Sequence, residues 1–418
     1  MGSFLNLNFI FESDKDTFNG SPRNCHRGPL YNYVISKCYY TENLETTKKN
    51  DILFFEVTRG ELEFKRILKV HKDWIVNNNV NVILANIADP SPQEGFDRLY
   101  NLVYKSELKN YVHFIDTNTA LEKYYKTYTF DYFIEEIINY DEKIEGELFG
   151  YGSKNDLGYI SKKVEESDID NFRNKKFLSF NRVISPKYHR SKLFFDSFRF
   201  NLHKDSYFSF LQDTAITNPD GVSFVGWDYF NYLIEDKQYS KEFVEECASK
   251  LPIKLDTDGW KGSYDEFRTH NTFKSELFAN SCINIVTETS FQFNEIFLSE
   301  KILKPIVMYQ PFIVLSGAFY LKRLKEIGFK TFDEFWDESY DLIEDFQKRY
   351  DKILLLILEL NSKSIEELND LYKRLKHICI YNRNHLINMK KNSWPDIFSK
   401  IDDSTYKRTT QNQKKGLI

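Results

Sequence analysis

The sequence predicts an α/β protein made of two parallel, doubly wound units followed by a helical segment. Three observations predict it. Strand-like and helical runs alternate through the first third of the chain. The same alternation restarts near residue 175 after a charged stretch without clear periodicity. The length of 418 residues exceeds what one ordinary core organises.

In chain order, residues 4–12 alternate in the manner of a strand, and a Gly/Pro/Arg-containing loop follows to Gly28. Asp51 to Val57 reads as a second strand, Glu61 to Asn77 as a helix and Val80 to Asn86 as a third strand. After the loop IADPSPQEG come a helix from about Phe96 to Lys105, a strand at Tyr111 to Asp116 and a helix beginning near Thr117. The pattern resumes with FLSFN, a basic loop and an amphipathic helix carrying Leu193, Phe194, Phe195 and Phe198. A strand is expected at 222–226. Two apolar runs, Ile283 to Val286 and Pro311 to Leu315, flank a helical segment and form a strand, helix, strand crossover. Beyond Thr331 the chain reads as helical to about Asn388, with Ile353, Leu354, Leu356, Ile357 and Leu360 toward a core. The expected domains are 1–150 and 175–340, joined by a linker at 151–174 and followed by helices at 341–400 and a basic tail at 401–418.

Composition excludes several classes. A formal charge of −5 argues against a protein coated for nucleic acid, although Lys407, Arg408, Lys414 and Lys415 make the tail basic. The five cysteines are scattered, with no CxxC pair, which suits reduced thiols in a cytoplasmic setting. No run reaches the roughly 18 apolar residues of a membrane span. GxSxG, Walker and HExxH motifs are absent from the sequence.

The candidate chemistry lies at predicted strand ends, where open α/β sheets bind ligands. Asn181 ends the FLSFN strand, and Arg182, Lys187, His189 and Arg190 follow before the helix. Fixed cations beside a helix N-terminus suit a diphosphate; a solvated basic turn is the equal alternative. Glu288 and Thr289 stand in a row of small polar groups able to hydrogen-bond a sugar or ribose. Glu300, Lys301 and Lys304 open a helix, and the two lysines, three apart, share a face and would meet one anion together; an ordinary helix start explains the same residues. Asp89, Glu94 and Asp116 lie at or just after strand ends of the first domain and are candidates for a general base, with helix capping as the competing explanation. Asp256-Thr257-Asp258 forms a DxD triplet, a weak signal for a divalent cation that holds a diphosphate.

Two stretches resemble the α1,3-fucosyltransferases. FLSFNRVISPKYHR, with Asn181 and the downstream Arg190, is similar to that family's donor-binding strand. Glu288 with Phe297-Leu298-Ser299-Glu300-Lys301 resembles its Phe-Glu-Asn-Ser and Tyr-Val-Thr-Glu-Lys signatures. The combination VTET, SEKILKPI, PFIVLSG, LKEIGFKTF and DESYD is more closely similar to uncharacterised glycosyltransferases of bacteria and large DNA viruses, phages among them. The resemblance covers about 180–341, and Phe180-Asn181, Thr289 and Phe297 depart from the fucosyltransferase pattern.

This resemblance implies a GT-B-like fold of two Rossmann-like domains facing a central cleft, with the acceptor site mainly in the first domain. It implies a nucleoside diphosphate sugar, UDP- or GDP-linked, as donor, and donor-binding roles for Asn181, Arg190, Glu288, Glu300 and Lys301; Arg182, Thr289 and Lys304 join the expected donor site by their own charge or hydrogen-bonding groups. The activity expected is inverting transfer without a metal, the proton passing to Asp89, Glu94 or Asp116. The acceptor is a glycan or a hydroxylated base in viral DNA. A non-catalytic sugar-nucleotide or glycan-binding protein, and a metal-dependent transferase using Asp256 and Asp258, stand as alternatives.

Overall fold

The computed structural model describes residues 8–11, 39–41, 52–56, 61–86, 91–131, 134, 169–181, 184, 187–210, 233–235, 238–255, 275–292, 295–389, 393 and 396–401. These fall into two compact units, one within 1–141, 295–297 and 390–418, the other within 142–294 and 298–389. The expected strand at 222–226, Asp89, Arg182, the Asp256/Asp258 triplet, linker residues 151–168 and tail residues 402–418 lie outside the described residues.

Among the described residues, the first unit holds a six-stranded sheet. Its strands are β1 (Asn8–Phe11), β2 (Tyr39–Thr41), β3 (Ile52–Glu56), β4 (Asn81–Asn86), β5 (Val112–Asp116) and β6 (Thr127–Thr129), in the order β2-β1-β3-β4-β5-β6. Every pairing is parallel. The apolar run NVILAN of β4 is buried along almost its whole length, as a strand covered on both faces must be. Helix α1 (Glu61–Asn78) places Phe64, Ile67 and Ile75 in this core, and α2 (Gln93–Tyr104) adds Phe96, Leu99 and Val103 from one face.

One expectation fails here. No long helix starts at Thr117: the Asn118 side chain accepts from Ala120 N, opening a 3₁₀ turn over Thr119–Lys123, and the chain then enters β6. Asn competes for backbone donors, and the following Thr and Tyr residues favour a strand, so a continuing α-helix loses twice.

The second unit holds a four-stranded parallel sheet of β7 (Lys175–Asn181), β8 (Tyr207–Phe210), β9 (Ser281–Thr287) and β10 (Phe312–Leu315), ordered β10-β9-β7-β8. Its helices include α3 (Tyr188–Arg199), α4 (Lys241–Ala248), α5 (Ser275–Ala279), α6 (Glu300–Val307), α7 (Tyr320–Glu326), α8 (Phe346–Asn361) and α9 (Ile365–Asn388). The expected crossover is present as β9, α6 and β10. In α8, Ile353, Leu356, Ile357 and Leu360 are buried, and Leu354 is half-buried.

The last helix is an integral part of this unit. A capping box of Ser364 and Glu367 starts α9. From it, the Asn369 amide grips the backbone N–H and C=O of Arg173 at 2.8 and 2.9 Å, and Asn382 does the same to Lys330 at 2.8 and 2.9 Å. Two extended segments thereby obtain the partners that a sheet neighbour would have supplied.

The α/β expectation, with two parallel-sheet units and a helical C-terminal segment, is therefore met.

Candidate functional site

Strand β9 reads SCINIVT and is buried throughout, so its carboxyl end emerges from the centre of the second sheet at Glu288. The Glu288 carboxylate is itself buried, with 1% of the residue exposed. Tyr320 Oη donates to its Oε1 at 2.6 Å, and Ser299 Oγ donates to its Oε2 at 2.5 Å. Burial pushes this carboxyl upward, against the pull of Lys301 and of the two hydroxyl donors.

Ser299 is also the N-cap of α6, accepting from Lys301 N at 3.2 Å. Behind it Ile302, Leu303, Ile306 and Val307 bury one face of the helix, which fixes its amino end beside β9. There the Lys301 ammonium reaches Thr289 Oγ1 and Ser299 Oγ, each at 3.3 Å, and pairs with Glu300 at 3.0 Å. Its side chain remains 26% exposed. Although burial opposes it, the charges of Lys301 and then Lys304 hold the Glu300 carboxyl down at about 2. Lys304 is buried, and its charge acts together with that of Lys301 on the Glu300 carboxylate.

The basic residues after β7 have a different place from Lys301. Arg190 Nη2 donates to the carbonyls of Thr287 at 3.0 Å and Glu288 at 3.1 Å. His189 Nε2 lies 2.9 Å from the Glu288 carbonyl, and Lys187 Nζ donates to that of Thr289 at 3.0 Å. Three consecutive carbonyls at the end of β9 thus face three cationic or imidazole groups from about a hundred residues earlier. Burial lowers the Arg190 guanidinium to about 10, offset by Glu288 and Glu300, and leaves it charged. Burial, with Arg190 beside it, holds His189 well below the usual imidazole range, so the ring is neutral. Asn181 completes the buried layer, accepting from Thr287 Oγ1 at 2.7 Å and donating to Ser179 Oγ at 3.1 Å.

The structure accordingly brings Asn181, Arg190, Glu288, Thr289, Glu300, Lys301 and Lys304 to one edge of the second sheet. It sorts them into a buried layer that shapes the strand end and a partly exposed layer of Thr289, Glu300 and Lys301. Ser299 and Tyr320 join them without having been singled out for a role. A serine directly before an acidic helix start was a legible cap, whereas nothing in YLKRL marks Tyr320 as a carboxylate partner.

In the first unit, the carboxyl end of β5 carries a second polar knot. Asp116 Oδ1 accepts from Ser91 N at 3.2 Å and Asn118 N at 2.7 Å, and burial raises its carboxyl to about 6. Asn118 donates to the Ser91 carbonyl at 3.0 Å and accepts from Ile296 N at 3.2 Å. Asn86 donates to Ser91 Oγ at 2.9 Å. Glu94 lies outside this knot, exposed and paired with Arg98 at 2.7 Å, which also pairs with Glu61 at 2.9 Å. Among the described residues no cluster of His, Cys, Asp or Glu forms a metal site, and no helix is long and apolar enough to cross a membrane.

No protein-family model matches the chain, and no curated protein matches it. Among solved structures it is similar to an α1,3-fucosyltransferase crystallised with GDP, at 11% identity over 94% of this chain and 93% of that one, with a TM-score of 0.37. It is also similar to a glycosyltransferase from Rickettsia africae ESF-5, at 12% identity over 94% of this chain and 97% of that one, with a TM-score of 0.34.

Proposed function

We propose that the second unit binds a nucleoside diphosphate sugar at the junction of β9 and α6, and that the protein transfers the sugar to an acceptor hydroxyl. One observation carries this reading: a partly exposed ammonium, Lys301, stands with the hydroxyls of Thr289 and Ser299 at the capped amino end of a helix. A helix N-terminus and a lysine together attract a diphosphate. Glu300, kept ionised, accepts from ribose or sugar hydroxyls, and Glu288 with Tyr320 holds the cap in place. Arg190 and Lys187 fasten the strand end and add positive potential that favours the leaving nucleotide. UDP and GDP are the nucleotides of choice, and the acceptor is a glycan or a hydroxylated base in DNA.

Thermal unfolding in the presence of UDP, GDP and their common sugars tests the donor site. A nucleotide at a hundred times its dissociation constant stabilises by about 2.7 kcal/mol, and slow release of sugar to water accompanies it in a transferase. Stabilisation without any release points to a binding protein on the same scaffold. No stabilisation by any nucleotide removes the reading.

Of the two described carboxylates named for the proton, Glu94 is exposed and paired with Arg98 while Asp116 is buried with a raised carboxyl, and we assign Asp116 the base. Ionised above a pKa of about 6, it accepts a proton at neutral pH. Transfer should therefore rise through pH 6 to a plateau. Asp116→Asn should lower that plateau by about a hundredfold and remove the limb. The sign for stability is opposite: a raised carboxyl favours its protonated folded form, so stability is lost as pH climbs from about 4 through about 6. The Asn variant keeps its amide-accepting oxygen and lacks this loss. A parent-like pH limb in Asp116→Asn would remove the base assignment.

A further inference from the structure

The opposite edge of the first unit's sheet carries a surface that neither knot uses. On α2, Phe96, Tyr100 and Tyr104 follow at four-residue spacing and lie face to face, with centroids 5.9 and 6.1 Å apart. This stripe begins in the core, where Phe96 is 3% exposed, and ends in solvent, where Tyr104 is 57% exposed. Tyr125 is 65% exposed just before β6. Its backbone bonds to Tyr100, the half-buried ring on which Tyr104 stacks. A lysine stands over each outer tyrosine: Lys109 lies 5.8 Å from the Tyr104 centroid, Lys126, whose ammonium also donates to the Asn110 carbonyl, lies 5.8 Å from that of Tyr125, and Lys123 lies 5.4 Å from that of the adjoining Tyr124.

Among the described residues, Tyr104 and Tyr125 are more exposed than the other exposed rings, Phe172 and Tyr381, and stand on one edge with the lysines. Their order, aromatic and cation interleaved along one edge, defines the partner's chemistry. The rings offer flat faces for stacking, and the ammonium groups sit about one side-chain length from them, able to meet a charge beside each stacked group. A neutral glycan would use the rings and leave the lysines unmatched. An anionic peptide would use the lysines and leave the rings unmatched. A strand of nucleotides uses both, with bases on tyrosines and phosphates on lysines. Of the two acids beside these lysines, Glu107 is paired with Lys72 at 3.2 Å, and the exposed Glu122 next to Lys123 offsets one of the three ammonium charges, which leaves the edge cationic.

We infer that the surface formed by Tyr104, Tyr125, Lys109, Lys123 and Lys126 binds single-stranded nucleic acid. It sits at the amino-terminal ends of β5 and β6, away from Asp116 at the carboxyl end of β5, and its role is to hold a strand rather than to react with it. The inference is independent of the donor site.

Fluorescence anisotropy of an oligothymidylate of about 15 nucleotides, read at about 50 mM salt and in a salt titration, tests it with the full chain. The parent should bind, and Tyr104→Ala with Tyr125→Ala should weaken binding by about tenfold or more. Lys109→Ala with Lys123→Ala should also weaken it and flatten the log–log salt slope by about 1.4, two phosphates' worth for a single strand. Lys301→Ala should bind the oligonucleotide like the parent, which separates this surface from the donor site. Absence of binding at low salt overturns the inference. So does binding that the tyrosine replacements leave unchanged while polyphosphate competes, because the surface would then be a plain cation patch.

Discussion

Replacing Lys301 by alanine should lower sugar transfer by a factor of about 10²–10³ while moving the melting temperature by no more than about 2 °C. The side chain is partly exposed, and its partners are two hydroxyls and the neighbouring Glu300, so its loss opens no cavity and strands no buried donor. What disappears is the partly exposed ammonium at the α6 cap. The effect should appear both in transfer and in the nucleotide-induced rise of the melting temperature. Lys301→Arg should recover part of both, since it keeps the charge while changing its shape. The Glu300 carboxyl would also lose the stronger of the two lysine charges that hold it down, so its ionisation moves to higher pH in the alanine variant. Near-parent turnover and nucleotide binding in Lys301→Ala would remove the cation from the donor site.

Arg190→Met should behave in the opposite way, losing stability first. The guanidinium is buried and donates to the carbonyls of Thr287 and Glu288. Methionine fills much of the space but leaves those acceptors without this donor, at about 1–3 kcal/mol each. A loss of about 3 kcal/mol corresponds to roughly 6–12 °C for a unit of this size. Transfer should fall as a consequence of a loosened β9 end, and nucleotide should restore part of the melting temperature. A parent-like melting curve with transfer alone abolished would show that Arg190 acts on the diphosphate directly, as the resemblance implies, instead of through the strand end. Measured side by side, the two variants separate a residue that meets the donor from one that shapes its seat.

The fold was legible wherever apolar runs are long and fully buried. VNVILAN, INIV and FIVL are strands because a parallel strand covered on both faces has no polar side to show. The three-residue strands β2 and β6 carry no such signal, since their pairing depends on neighbours distant in sequence. The convergence of the candidate residues was legible for a related reason: residues at strand ends and helix starts meet at one sheet edge in any α/β unit. Their division of labour was not. Whether Arg190 faces solvent or a carbonyl depends on where β9 ends, about a hundred residues later. Likewise Lys301 and Lys304 share a face by spacing, but the depth at which α6 packs leaves one in reach of solvent and buries the other. Tyr320 carries no local mark of its role, because the carboxylate it serves belongs to another element.

Residues 295–297, between β9 and α6, belong with the first unit, where Thr119 N donates to the Ile296 carbonyl at 3.0 Å and Asn118 accepts from Ile296 N. Residues after 389 return to that unit as well. The chain therefore passes between the units at four places, near 141, 294, 297 and 389. Neither unit is a contiguous cassette. A fragment ending near 141 lacks the backbone that Asn118 holds, and a fragment beginning there carries a three-residue insert cut off from its partners. An insertion or cut between Glu295 and Phe297 would therefore disturb the first unit's own backbone bonds within a few residues of Glu300.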